Sequence, residues 1–261
     1  MLLNDLAQYG PRACIWLSPS SPYEPLYRAL VCGTPLPPSK AQWLFLDTGL
    51  VHLMIVSGAH LAFLDRLMSK FPGYLRIIFL SFYSWLTGFG PPVVRALANR
   101  CLFPFCQKRG FGHLQTELLS SLILLCIHPR WLTSRSFLMS WMCSLALSLP
   151  YGHLTLRCFV FLYPFAATAP ISLFWNLLIT PLVGHLLFPF CLMSFLVHSL
   201  SPFTDFFWLS LLQILEWGPK APPAYWFLRT SSLAWLPLFL HILLIQGEIR
   251  WRRAWAFSYS S

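Results

Sequence analysis

Apolar and polar positions divide the chain unevenly. After a Pro- and Ser-rich start come long stretches without Asp, Glu, Lys or Arg, at residues 48–64, 77–94, 136–156, 158–204 and 230–247. A helix needs roughly 20 mostly apolar residues to cross a hydrocarbon core of about 30 Å, so the 158–204 run has room for two passes. The pattern predicts about eight or nine membrane-embedded segments, near 43–66, 74–90, 92–107, 113–128, 136–150, 154–168, 171–200, 205–217 and 233–248. Several are short for a simple crossing. Half-helices or re-entrant elements follow, and these persist at membrane depth only when enclosed by protein or lining an aqueous cavity. Pro164, Pro170, Pro181, Pro189 and Pro237 fall inside apolar runs, where each removes a backbone donor and kinks its helix; Pro181 is the structural kink singled out. The expected fold is all-α, a polytopic transmembrane helical bundle with kinked and in part re-entrant helices.

Composition agrees. The chain is 57% hydrophobic and 10% charged, with a mean hydropathy of +0.62, whereas soluble domains are about a quarter charged. No room is left for a large soluble domain. Residues 1–40 lack the basic start, compact apolar core and small-residue cleavage site of a signal peptide. They read as a lead-in at the membrane surface or loosely ordered, before a transmembrane domain at 41–248 and a basic tail at 249–261. The net charge of +10 reflects in part the cytoplasmic excess of Lys and Arg in membrane proteins, which accounts for "IRWRR" in the tail. Of eight cysteines, Cys101, Cys106, Cys126, Cys143, Cys158 and Cys191 lie in or beside apolar segments, where cysteine acts as a small hydrophobe. Packing is therefore favoured over bridges or metal, and no cofactor is expected.

One segment, "DTGLVHLMIVSGAHLAFLDR" at residues 47–66, carries two histidines around a Ser-Gly pair. On an unbroken helix His52 and His60 are separated by about 12 Å of rise, too far for one metal ion. Ser57 and His60 share a face, so a Ser-His dyad oriented by Asp47 or Asp65 is one alternative, an intramembrane hydrolase, although the Gly-x-Ser-x-Gly elbow is missing. The favoured reading is structural: Ser57, Gly58 and Ala59 let another helix approach closely, Gly58 breaks the helix locally, and the histidines hydrogen-bond across the contact. Asp47 is expected near a helix start. Glu216 is expected to pair with Lys220 or to sit at the interface. Arg95 and Arg100 lie within an apolar segment, and intramembrane charge tends to line pathways; Arg95 is the best candidate for a phosphate contact. Arg100 points about 140° away on an ideal helix. Asn176 either satisfies a carbonyl freed by Pro181 or faces a pore.

These residues carry a resemblance. "GLVHLMIVSGAHLAFL" resembles the signature segment of the ComEC competence family, through Gly49, Leu50, His52, Leu53, Ser57, Gly58 and His60. "YRALVCGTPLPPSK" is similar to the family's approach to that segment, and "PPVVRALANR" to its Arg-Ala element, with Asn99 in place of the usual methionine. Pro129, Phe137 and Ser140 fit a further element, and "NLLITPL" from Asn176 to Leu182 another. The resemblance implies an inner-membrane channel that passes single-stranded DNA into the cytoplasm during natural transformation. His52, Ser57, Gly58, His60, Arg95, Arg100 and Asn176 would then line its path. It also implies partners: a lipid bilayer, a cytoplasmic translocation motor, since no phosphate-cradling Gly-x-x-x-x-Gly-Lys-Ser/Thr loop occurs here, periplasmic DNA-binding and pilus proteins, and a second copy of the chain. The zinc motif of the family's nuclease domain is not found, so a nuclease is expected to be a separate protein or absent, and the chain itself not an enzyme. A small-molecule transporter, the other alternative, usually shows an internal repeat, and none is visible.

Overall fold

Residues 2–148 and 170–218 are described by the structure, a computed structural model. The segments expected at 154–168 and 233–248, with Pro164, Pro237, Lys220 and the basic tail, lie outside these residues. All regular elements among the described residues are helical. They are α1 (Leu2–Trp16), α2 (Glu24–Tyr27) running into a π turn (Arg28–Cys32), α3 (Lys40–Asp47), α4 (Gly58–Leu67), α5 (Gly73–Leu86), α6 (Pro91–Lys108), α7 (His113–Ile127) and α8 (Arg135–Ser148). After them come α9 (Pro170–Leu182), a π turn (Val183–Leu187), α10 (Phe188–Leu196) and α11 (Ser201–Trp217).

Within α9 and α10, Phe174–Leu196 forms one helix of 23 residues, long and apolar enough to cross a bilayer. At ~1.5 Å per residue it reaches about 35 Å. Pro181 lies two residues before the π turn, where the regular ladder gives way to a wider one, a common site of helix bending.

The segment expected as a single element over 43–66 is instead broken. Gly49, with φ of 72°, ends α3. Its N–H reaches the Leu46 carbonyl at 3.0 Å and the Leu50 N–H reaches that of Phe45 at 2.8 Å, the paired bonds of a Schellman stop that favours glycine. A short 3-10 turn (Val51–Met54) follows, then extended backbone to Ser57, which starts α4. The break lies inside the protein: Thr48, Leu50, Met54 and Val56 are buried. Its backbone is thereby shielded by packed side chains. Asp47 consequently falls at the end of a helix and not near a start.

The lead-in is also more ordered than its composition suggests. Tyr27, Ala29 and Leu30 are wholly buried in the main core with Phe45, Leu64, Phe188 and Trp208. A disulfide joins Cys14 of α1 to Cys32 of the π turn, with Cα atoms 5.7 Å apart. This corrects the expectation of packing alone for the cysteines; the pair lies outside the apolar segments, where no membrane role competes. Two further ties reach α11. Ser21 and Tyr27 both donate to the Asp205 carboxylate, at 2.7 and 2.9 Å. Lys40 pairs with Glu216 at 2.6 Å, a residue far along the chain; the pairing with Lys220 expected for that glutamate lies outside the described residues.

A second core forms where Leu124 of α7 meets Phe137, Leu138, Trp141 and Met142 of α8, against Val94 and Ala98 of α6. The sidedness of α7 is the reverse of a soluble helix. Thr116, Glu117, Ser120 and Ser121 are buried, while Leu122, Ile123 and Ile127 are exposed. Small hydroxyl side chains at a helix contact are what helix packing within a bilayer favours.

Candidate polar site within the helical bundle

The signature loop and the polar face of α7 meet at α6. Gly58 opens α4 against this helix: a Cβ placed there would lie 3.2 Å from the Ala96 Cβ and 3.7 Å from Nη2 of Arg95. The close approach expected of the small-residue run is therefore present, and glycine is what permits it. Ser57 caps α4. Its hydroxyl accepts the Ala59 N–H at 3.3 Å, and its own N–H donates to Nδ1 of His60 at 3.0 Å.

This is a capping box in which histidine takes the place usually held by Glu or Gln. Because a backbone N–H can only donate, Nδ1 is the acceptor and the ring proton sits on Nε2. The Ser57 hydroxyl lies 3.2 Å from the same Nδ1, a contact that the cap itself accounts for. Asp65, the acid considered as orienter of a dyad, is engaged elsewhere: Arg76 reaches it at 2.6 Å and Arg100 at 3.0 Å. The ring of His60 meets Phe188 edge-on at 4.4 Å.

His52 is not on the same helix. Its Nδ1 lies 3.1 Å from the Gly49 carbonyl, and its side chain also hydrogen-bonds Asn176 of α9. Asn176 accepts in addition from Thr180 at 3.3 Å. Neither histidine hydrogen-bonds across the close contact of Gly58 with α6, as expected of them: His52 reaches α9 instead, and His60 spends its acceptor within its own cap. Two sequence candidates, His52 and Asn176, are brought together, while Arg100 pairs at a partly exposed site with Asp65.

Arg95 is the centre of the arrangement. Its side chain is 5% exposed and pairs with Glu117 of α7, itself 4% exposed. Nε and Nη2 donate to the Ser140 hydroxyl of α8 at 3.2 and 2.9 Å. Asn99, one turn along α6, donates its amide to the same glutamate. Four helices therefore converge on one guanidinium: α6 carries it, α4 opens against it, and α7 and α8 supply its partners. Burying two ions costs several kcal/mol each, about what a well-bonded pair recovers, so stability alone is a weak reason for such a site.

Sequence reasoning found Arg95 and passed over Glu117. A signal was there, for Glu117 is the sole acid between Asp65 and Asp205, with serines three and four residues later on its own face. What the sequence alone does not give is which cation it meets, 22 residues away.

Comparison with known proteins bears on the same stretch. Residues 37–161 match the family described as Competence protein. An uncharacterized protein of Aquifex aeolicus (strain VF5) is 29% identical over 178 residues, covering 61% of this chain and 43% of that protein. The uncharacterized protein YcaI of Escherichia coli (strain K12) is 26% identical over an alignment of 265 residues, covering 82% of this chain and 35% of YcaI. The chain spans less than half the length of these curated relatives. No solved structure matches it. The signature loop, Arg95, Glu117 and Ser140 all fall inside the stretch that matches the Competence protein family.

Proposed function

We propose that the chain is a multi-pass protein of the bacterial inner membrane that forms the channel for single-stranded DNA during uptake. The observation that carries this reading is the buried polar junction on Arg95, set in a bundle whose α7 turns its serines, threonine and glutamate inward and its leucine and isoleucines outward. A single strand is held without sequence preference by cations along its phosphates, and an arginine kept inside a membrane bundle at such desolvation cost marks a pathway more readily than a packing need. His52, Ser57, Gly58, His60 and Asn176 form the neighbouring wall. Arg100 serves the same path from its pair with Asp65. Energy comes from a cytoplasmic motor, and delivery from periplasmic DNA-binding and pilus proteins. A second copy completes the enclosure, and a separate nuclease removes the other strand.

The test is genetic. Deleting the gene should abolish transformation by labelled DNA. The wild-type chain should restore it, and Arg95→Ala, present in membranes at equal level by immunoblot, should not. Unchanged uptake in the deletion strain would overturn the channel reading.

A further inference from the structure

The reading of the chain as a single-strand channel leaves one partner unexplained: why the intramembrane cation is already neutralised. We infer that the Glu117 carboxylate occupies the seat on Arg95 that a phosphodiester takes during transport, so that Glu117 is an internal anion closing the site until nucleic acid displaces it.

The donors around Glu117 suit a phosphate as well as a carboxylate. A guanidinium fork binds either in the same planar geometry, and the Asn99 amide adds a neutral donor beside it. Ser140 accepts both of its bonds from Arg95, which leaves its own O–H to donate.

The site also holds polar capacity that one carboxylate does not use. The Ser121 hydroxyl, one turn beyond Glu117 on the same face, is wholly buried and has no hydrogen-bond partner. The Asn99 carbonyl oxygen is buried without one too, but it only accepts and so offers nothing to an anion. Buried polar atoms are nearly always bonded, and exceptions often mark a functional site. A structural ion pair has no need of these groups; a tetrahedral anion with more acceptor oxygens than a carboxylate can use the hydroxyl.

Contrast with the other arginine pairs among the described residues supports the distinction: Arg28 and Glu24 pair at side-chain exposures of 35% and 33%. Arg76 and Arg100 share Asp65 at side-chain exposures of 19% to 30%, as surface pairs do. Arg95 and Glu117 are sealed within the bundle, and the opening residue of α4 lies against the guanidinium. A phosphodiester carries one negative charge, as the carboxylate does, so either can neutralise the guanidinium in turn. Once displaced, Glu117 faces the strand and repels it, so the site is easily left again, which conduction requires.

The experiment measures binding of a fluorescent oligothymidylate to the purified full chain in detergent across a range of salt concentrations. Glu117→Gln should bind about tenfold tighter at low salt, the worth of one charge-assisted hydrogen bond to a phosphate, with a salt slope steeper by roughly 0.7 to 0.9. The double variant Arg95→Gln, Glu117→Gln should lose that increase. Glu117→Asp, which keeps the charge but draws it back by one methylene, should show a smaller increase; it decides the matter if Glu117→Gln does not elute as a folded helical species. Equal binding by wild type and the folded Glu117 variant overturns the inference. So does an increase that survives in the double variant, which would reflect only the loss of a negative charge. Either result leaves the channel reading intact, because that falls only if deletion leaves uptake unchanged.

Discussion

At the residue scale, His60 shows how a side chain that suggests catalysis can be explained by backbone accounting. The first N–H groups of a helix lack intrahelical partners, and the Ser57–His60 pair satisfies them. Glutamine is a usual residue at this capping position, so His60→Gln should leave stability nearly unchanged. His60→Ala should cost about 1 kcal/mol, read as a lowered melting temperature in detergent. A large loss in the glutamine variant would show that the imidazole does more than cap. The small residues and the arginine were evident from the sequence because their chemistry is unusual in an apolar run. Glu117 was not, because its partner sits 22 residues away, and pairing across helices depends on packing that no local pattern specifies.

At the element scale, the apolar runs named most of the helices: α5, α6, α7, α8 and α11 lie close to the expected segments. They failed at the signature segment, where hydropathy continues through residues 48–57 while the backbone does not. Gly49 was the available sign, as a left-handed stop after Thr48. The lead-in was misjudged for a different reason. Its prolines and serines look loose, but "LYRALVC" packs through Leu26, Tyr27 and the buried π turn, and Cys32 is tethered to Cys14. Closing a loop of 18 residues is worth about 3 kcal/mol by the entropy of the unfolded chain. Cys14→Ser should therefore lower stability by that order. Adding reductant should reproduce the effect in the wild type and have none on the variant; equal melting of oxidised and reduced wild type would rule out a stabilising role.

At the scale of the whole molecule, the reversed sidedness of α7 extends to other helices. Ile78 and Phe82 of α5, Leu177 and Leu178 of α9 and Phe206 of α11 are exposed. A membrane-partitioning photoreactive diazirine should label peptides through Leu122 to Ile127 and Phe203 to Phe206. It should spare Thr116 to Ser121. Labelling of the serine face in place of the leucine face would contradict a lipid-surrounded bundle. The all-helical fold and a helix long enough to cross a bilayer were legible in outline, because few charges and long apolar runs favour such elements. Which face of each helix is buried was not, since the apolar runs are nearly uniform around the helix and only the buried polar stripe breaks the symmetry.

The ties between the lead-in and α11 carry a consequence for assembly. Tyr27 meets Asp205 and Lys40 meets Glu216 across 178 and 176 residues, whereas the π turn also holds to α1 through the Cys14 disulfide and to α5 through the Tyr83 hydroxyl on the Val31 carbonyl. Pairings so distant in sequence form late. The lead-in therefore settles first on the early helices, and its bonds to α11 close last, like a clasp.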